Sequence, residues 1–168
     1  MTKLLKRDIK LVEDLANKGL TMAQTLIGKS YLYGKFVAPD TKKGLIYLEK
    51  AARHLDPEAF VVLGWAYADG QGVETDYAKA IDYWSIAFDL GETEVCGMIL
   101  DIYLDVENKL CDLKKGYEWL QKGIRAGNAY AYFCYSFYLR AHEEGSEELF
   151  AYWMRKAAYA GEVRAMVS

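Results

Sequence analysis

The residues whose side chains could support catalysis or metal binding are few and scattered. The chain contains two histidines, His54 and His142, and three cysteines, Cys96, Cys111 and Cys134. A zinc site needs about four ligands at recognisable spacings, and the sequence has no Cys-x-x-Cys or His-x-x-x-His motif. Cys134 and His142 would lie roughly 12 Å apart along one helix, too far for a nucleophile and its base. We therefore expect no metal, no cofactor and no catalytic residue.

Two further patterns could carry chemistry, and each also has a structural explanation. The glycines of Gly70-Gln71-Gly72 resemble part of a phosphate loop, but they follow a predicted helix and lack the Lys-Ser/Thr of a P-loop. Asp101 and Asp105 lie one helical turn apart, a spacing that a hydrolase can use and that a solvated helix face provides equally. We expect a non-enzymatic protein. An enzyme or a small-ligand-binding protein that uses a concave groove stays open as the alternative.

Composition and charge indicate a packed helical protein. Hydrophobic residues make up 52% of the 168 residues, with only two prolines, which favours an all-α fold. The 24 acidic and 21 basic residues give no electrostatic reason to expect nucleic acid or an anionic membrane as the ligand. The first residues hold no signal-peptide core, the longest apolar stretch is far short of the ~20 residues of a membrane span, and the cysteine count is odd. We expect a cytoplasmic protein with reduced thiols.

An internal repeat organises the chain. Residues 59–70 align with residues 23–34, and the offset between Gly64 and Gly28 sets a period of 64 − 28 = 36. The same spacing separates two series of three residues each: Asp40, Asp76 and Asp112; and Leu48, Trp84 and Leu120. A fixed period of this length is typical of a solenoid built from stacked repeats.

Each period predicts two helices. In the first, Ala59, Leu63 and Tyr67 lie four residues apart on one stripe. Gly64 interrupts that stripe, so we expect a second helix to cross close to it. Asp76 begins the second helix because a carboxylate can accept hydrogen bonds from free amides of the first turn. We place Trp84 and Leu48 in the core of the second helices.

The register divides the chain into one helical-repeat domain over residues 1–168. We predict ten helical segments and no sheet, with Ser146 taking the place of the aspartate cap in a fourth copy that is two residues shorter. The segments are an N-terminal capping half-repeat at 1–20, repeats at 21–56, 57–92, 93–128 and 129–162, and the stub of a further helix at 163–168.

The second copy resembles the Sel-one-like repeat, a relative of the tetratricopeptide repeat. The matching residues are Leu63-Gly64-x-x-Tyr67-x-x-Gly70-x-Gly72-Val73-x-x-Asp76-x-x-x-Ala80-x-x-x-Trp84. Other copies depart from this pattern: Phe36 replaces the second turn glycine, Leu100 and Ser136 replace Gly64, and Leu139 replaces Tyr67. The resemblance implies a right-handed α/α solenoid of antiparallel helix pairs and an adaptor or scaffolding role.

The first helices are expected to line the concave side, by analogy with tetratricopeptide relatives. The positions not used for packing are Met22, Thr25, Lys29, Leu32, Tyr33, Glu58, Val61, Trp65, Ala68, Asp69, Glu94, Gly97, Asp101, Leu104, Asp105, Tyr130, Phe133, Phe137, Arg140 and Ala141. They are acidic and aromatic, which favours a protein partner with a basic surface and an apolar centre. The predicted contact residues are Trp65, Asp69, Glu94, Asp101, Asp105, Phe133, Phe137 and Arg140. Such a protein could be a bacterial adaptor or a toxin-neutralising immunity protein.

Overall fold

The computed structural model describes residues 3–142 and 147–162, and these residues form nine helices and no strand. The helices are α1 Lys3–Asn17, α2 Thr21–Tyr33, α3 Thr41–Ala52, α4 Pro57–Asp69, α5 Tyr77–Asp89, α6 Val95–Leu104, α7 Leu113–Arg125, α8 Ala129–His142 and α9 Glu147–Tyr159. Within the described part of the chain, no helix is both long enough and apolar enough to cross a membrane. The predicted cap Ser146 and the predicted stub at 163–168 lie outside the described residues.

The chain divides into two compact units. Unit 1, Met1–Glu92, contains α1 to α5, and unit 2, Thr93–Ser168, contains α6 to α9. In each unit, consecutive helices are joined by short connections and pack against one another. The assignment of residues 1–168 to one domain stays a prediction.

Three second helices begin at the predicted aspartates. The carboxylates of Asp40, Asp76 and Asp112 accept hydrogen bonds from the backbone amides three residues later, at 3.0, 2.9 and 3.1 Å. Each aspartate satisfies an amide that the helix itself cannot pair, so the 36-residue spacing fixes where α3, α5 and α7 start. The predicted caps are confirmed.

The contact between α4 and α5 explains Gly64. A Cβ atom on Gly64 would lie 2.2 Å from Nε1 of Trp84, so no larger residue fits while the indole is in place. Trp84 is fully buried, and its Nε1 donates a hydrogen bond of 3.2 Å to the carbonyl of Val61. Leu48 on α3 is equally buried. The predicted close crossing and the two core placements are confirmed.

The turn after the first helix keeps its geometry without its second glycine. Gly72 has a φ of 77°, and Phe36, at the equivalent position 36 residues earlier, has a φ of 75°. A bulky side chain rarely adopts this left-handed conformation, so Phe36 is held there at a cost. In the third copy Asp105 instead ends α6 in an extended conformation, and its carboxylate accepts a hydrogen bond from the amide of Glu107.

Candidate functional site

A pocket of about 370 Å³ opens between α6 and α8 in unit 2. We call it the acidic–aromatic pocket. Carboxylates come from α6 and the residue that ends it, and rings come from α8, because first helices of consecutive repeats are neighbours here. The lining residues are Asp101, Leu104, Asp105, Tyr130, Phe133, Cys134 and Phe137.

The polar side of the pocket depends on one hydrogen bond between the two first helices. Tyr130 Oη donates to Asp101 Oδ1. Burial of the phenol, followed by this hydrogen bond to a carboxylate, raises the pKa of Tyr130 well above its usual range. The phenol therefore stays protonated and orients Asp101, whose side chain remains exposed. Asp105 is also exposed, one turn further along.

The apolar side of the pocket is a short row of rings on α8. The Tyr130 and Phe133 rings are stacked at 6.1 Å between centroids, and Phe133 meets Phe137 at 5.0 Å. The guanidinium of Arg140 lies over Phe137, 5.1 Å from the ring centroid. Arg140 also lies 4.7 Å from the ring centroid of Phe150 on α9. The row ends in an exposed cation packed on aromatic faces, a favourable arrangement for arginine.

The first-helix surface of unit 1 contains two further predicted contact residues, Trp65 and Asp69. Trp65 on α4 is 37% exposed, and its ring meets Trp84 edge-on at 5.3 Å. Asp69 is exposed at the end of α4 and accepts a hydrogen bond of 3.3 Å from Gln71 Nε2. Between α2 and α4, Lys29 forms an ion pair with Glu58. Unit 1 therefore presents a tryptophan edge beside carboxylates, one of which is already paired.

The structure brings some of the eight predicted contact residues together and separates others. Unit 2 gathers five of them in or beside the acidic–aromatic pocket: Asp101, Asp105, Phe133, Phe137 and Arg140. Glu94 is exposed at the start of α6 and does not line the pocket. Trp65 and Asp69 belong to unit 1. None of the eight is fully buried, so all remain available as a predicted binding surface.

Three positions expected on the binding surface are buried instead. Thr25 donates a hydrogen bond of 2.9 Å to Asp56 Oδ2, and Oδ1 of the same carboxylate caps α4 by accepting from the amide of Ala59. Leu32 packs into the core of unit 1, and Ala68 is also buried. The expectation was wrong for these residues because neighbouring helices cover more of each first helix than its own stripe predicts.

A repeated lysine–tyrosine contact was missed in the sequence. Lys43, Lys79 and Lys115 lie over the rings of Tyr31, Tyr67 and Tyr103, at 4.3, 4.1 and 5.7 Å from the ring centroids. Both series have the 36-residue spacing, which is the signal that could have revealed the contact. In unit 1, Glu13 on α1 adds an ion pair to Lys43 and accepts a hydrogen bond from Tyr31 Oη. These groups join neighbouring helices.

The buried thiol does not supply a nucleophile. Cys96 is fully buried and lies 3.7 Å from the carbonyl oxygen of Trp119, to which it donates. Burial raises the pKa of the Cys96 thiol to about 12, so the thiol stays protonated near neutral pH. Across residues 3–142 and 147–162, no group of three or more His, Cys, Asp or Glu side chains is placed to hold a metal ion.

Paired helices with a recurring aspartate cap and a recurring close contact define a helical-repeat protein. The family model of the Sel1 repeat matches residues 21–54, 59–92, 106–128 and 151–162, which together make up more than half of the chain. The chain belongs to the Sel1 repeat family, as the resemblance predicted. Sel1 repeats are generally non-catalytic scaffolds for protein interaction. Among curated proteins, none matches this chain.

Two solved structures are similar to the chain over nearly its full length. A Sel1 repeat protein from Oxalobacter formigenes is 28% identical, with a TM-score of 0.76 over 96% of this chain and 67% of that one. A protective antigen present in uropathogenic Escherichia coli strains, which displays an SLR fold, is 27% identical with a TM-score of 0.81. The match covers 98% of this chain but only 36% of the antigen. These likenesses confirm the all-α helical-repeat fold.

Proposed function

We propose that this chain is a non-enzymatic interaction module that binds a basic, apolar-centred segment of another protein in the acidic–aromatic pocket of unit 2. The observation that carries the proposal is the meeting of exposed carboxylates, Asp101 and Asp105, with the rings of Phe133 and Phe137 in one open pocket. Aromatic anchors supply affinity once water is removed from them, while charges speed association and reject wrong partners.

The ends of the pocket differ, and this difference gives a bound segment a direction. Asp101 and Asp105 offer negative charge on the α6 side, whereas Arg140 offers positive charge beyond Phe137. A segment that places lysine or arginine against the aspartates therefore gains from an acidic or polar residue toward Arg140. Phe133 and Phe137 lie between these charges and would receive an apolar side chain.

In unit 1, Trp65 and Asp69 are proposed as a second contact for the same partner, with Glu94 of unit 2 as a further carboxylate. Trp65 combines an exposed edge with a ring fixed against Trp84, which lowers the entropy lost when a partner covers it. Contacts of two units with one partner would raise affinity through effective concentration.

Two biological roles fit such a module, a bacterial adaptor and a toxin-neutralising immunity protein. Both require a stable complex with a basic partner, and the immunity role also requires that the complex abolish the activity of that partner. We propose a cytoplasmic location, in which the thiols of Cys96, Cys111 and Cys134 would stay reduced.

The proposal is tested with two labelled peptides that differ only in charge. In both, a central phenylalanine has charged residues on one side, all lysine in one peptide and all glutamate in the other, and serines on the other side. Fluorescence anisotropy should show binding of the lysine peptide only, and raised salt should weaken it. Comparable affinity for both peptides would contradict the pocket chemistry.

Variants separate the two contributions. Asp101→Asn with Asp105→Asn should slow association and lower affinity for the lysine peptide about fivefold, because exposed charges contribute modestly. Phe137→Ala should speed dissociation and cost about 2 kcal/mol. The matched control is Asp82→Asn with Asp89→Asn, which removes two exposed carboxylates from α5. If this control weakens binding as much as the pocket variants, only the net charge matters and the assigned site is wrong.

A further inference from the structure

The outer side of α9 has an aromatic and basic stripe. Tyr152, Lys156 and Tyr159 follow the i, i+4, i+7 spacing of one helix face, and Tyr152 and Tyr159 are 46% and 91% exposed. The buried residues of α9, Met154 and Ala157, lie on the opposite side of the helix. We call these three residues, of which the tyrosines are exposed and Lys156 is half-buried, the α9 stripe. It points away from the core of unit 2.

Packing of repeats does not explain these exposed tyrosines. The equivalent positions in α7, 34 residues earlier, are Glu118 and Arg125, and both are exposed. The equivalent positions in α3 are Ile46 and Arg53, which are also exposed although α3 packs against both α2 and α4. A further repeat beside α9 would therefore leave Tyr152 and Tyr159 in solvent. Contact with another molecule, rather than with a further repeat, explains why these two exposed residues are aromatic.

The charge of the α9 stripe is positive. Lys156 Nζ lies over the rings of Trp153, Tyr132 and Tyr152, 4.9, 5.3 and 5.5 Å from their centroids. The neighbouring Arg155 is exposed, so the last turns of α9 present two cations beside the tyrosines. A basic surface with aromatic side chains is the partner that the acidic–aromatic pocket favours. The α9 stripe and the acidic–aromatic pocket of the same chain are therefore complementary in charge.

We propose that the α9 stripe docks into the acidic–aromatic pocket of a second copy of this chain. This inference rests on the proposed function, because it uses the same pocket and names its occupant. Tyr159, the more exposed ring, enters the pocket, and Lys156 faces Asp101 and Asp105 of the other copy. The pocket, at about 370 Å³, has room for a phenol ring. Neither Tyr152 nor Tyr159 lines the pocket of its own chain, so the contact is intermolecular.

Tyr152 contributes to the same contact at the rim of the pocket. Seven residues separate it from Tyr159, so the two rings lie about 10 Å apart along the helix axis, with Lys156 between them. One ring can therefore enter the pocket while the other packs against its rim. The arrangement provides two aromatic anchors, which are enriched at interface centres, beside a charge pair.

Sedimentation velocity on the full chain tests the proposal. The weight-average mass of the parent protein should rise along a concentration series at low salt and rise less at high salt. The stripe variant, Tyr152→Ser with Tyr159→Ser, should raise the dissociation constant at least about tenfold. The pocket variant, Asp101→Asn with Asp105→Lys, should do the same. Tyr77→Ser and Leu113→Ser, which remove exposed apolar surface elsewhere, should behave like the parent.

Mixing the two variants gives the decisive measurement. The stripe variant keeps an intact pocket and the pocket variant keeps an intact stripe, so their mixture should associate although neither does so alone. This complementation is expected for a closed dimer and for an open chain. A parent that stays monomeric throughout the series, or a mixture that stays dissociated, overturns the proposal. Such a result leaves the proposed function standing if the lysine peptide still binds, whereas loss of peptide binding contradicts the proposed function itself.

Discussion

The first-helix surfaces of the two units fill equivalent positions with opposite chemistry. In unit 1, Lys29 pairs with Glu58 across α2 and α4; in unit 2, Tyr130 donates to Asp101 across α8 and α6. The positions correspond, since 101 − 29 and 130 − 58 both equal 72, two periods. The unit 1 pair neutralises itself, whereas the unit 2 pair leaves a negative carboxylate beside aromatic rings. The repeat therefore fixes which positions contact each other. The residues at those positions decide whether a charge is left unneutralised on the first-helix surface.

The interior shows a parallel difference. Unit 1 pairs the smallest residue with the largest, because Trp84 fills the space that a side chain on Gly64 would need. In unit 2 the equivalent positions, 36 residues on, are Leu100 and Leu120, and both are fully buried. Glycine with tryptophan in unit 1 and leucine with leucine in unit 2 thus fill the same two core positions of the repeat.

The largest expected change in stability comes from placing leucine at both 64 and 84, as unit 2 has at 100 and 120. Gly64→Leu alone should destabilise the fold by about 3 kcal/mol or more, because its side chain would overlap the Trp84 ring. Trp84→Leu alone should cost about 2–4 kcal/mol through lost burial and a cavity. The double variant should recover at least about 1 kcal/mol of the summed loss, because each change removes the cause of the other. Urea unfolding followed by circular dichroism measures all three.

Trp65→Leu is the control for that cycle, because Trp65 is partly exposed and should lose less stability than Trp84. Strict additivity of Gly64→Leu and Trp84→Leu would show that the two positions do not share one space.

A smaller effect is expected when the pH is lowered. Acid should reduce the free energy of unfolding through a carboxylate in unit 1. The hydrogen bond from Lys43 lowers the pKa of Glu13 below its ordinary 4.5, and hydrogen bonds from Tyr31 and Tyr47 add to this effect. Burial of the carboxylate opposes it but is the weaker influence. A lowered folded-state pKa gives stability that is present above pH 4.5 and is lost as the pH falls through the folded value. Glu13→Gln should therefore cost about 1 kcal/mol at neutral pH and little in acid.

Urea unfolding of parent and Glu13→Gln across the acid range measures this loss. Asp112→Asn, which alters the cap and the carboxylate 3.8 Å from Lys115 in unit 2, provides the comparison. A stability gap between parent and Glu13→Gln that stays constant down to the lowest pH would contradict the assigned role of Glu13.

The turn at Phe36 offers a gain of similar size. Phe36→Gly should remove about 1–2 kcal/mol of left-handed strain and lose about 0.5–1 kcal/mol to the greater freedom of the unfolded chain. The net result is a stabilisation of about 0.5 kcal/mol, measured as a higher urea midpoint. The reverse change at the equivalent position, Gly72→Ala, should destabilise, because its φ is 77° and its Cβ would lie 2.6 Å from the Thr41 side chain. Stabilisation by both changes would show that the turns are not equivalent.

The smallest effect concerns the two surface pairs. A double-mutant cycle of Lys29→Ala and Glu58→Ala should give a coupling below about 1 kcal/mol, because both side chains are partly exposed and water screens the pair. The cycle of Asp101→Asn and Tyr130→Phe should give a larger coupling, because the phenol is partly buried. Raised salt should reduce the first coupling more than the second. Equal couplings with equal salt dependence would remove the distinction between the units.

The sequence by itself determined the repeat and the starts of three of its helices, α3, α5 and α7. The aspartate caps at 40, 76 and 112, the glycine at 64 and the core tryptophan at 84 could be predicted because capping, close approach and burial each demand particular residue types at short range. The shared period then placed the helix pairs, and the resemblance supplied the family.

The tertiary structure alone decided which first-helix residues face solvent. Thr25, Leu32 and Ala68 have the spacing of surface positions but are buried, since their neighbours lie on helices distant in the chain. The hydrogen bond between Asp101 and Tyr130 joins residues 29 apart, and no local pattern specifies it. Periodicity reports the face of one helix, whereas a binding surface depends on how much of that face the adjacent helices cover.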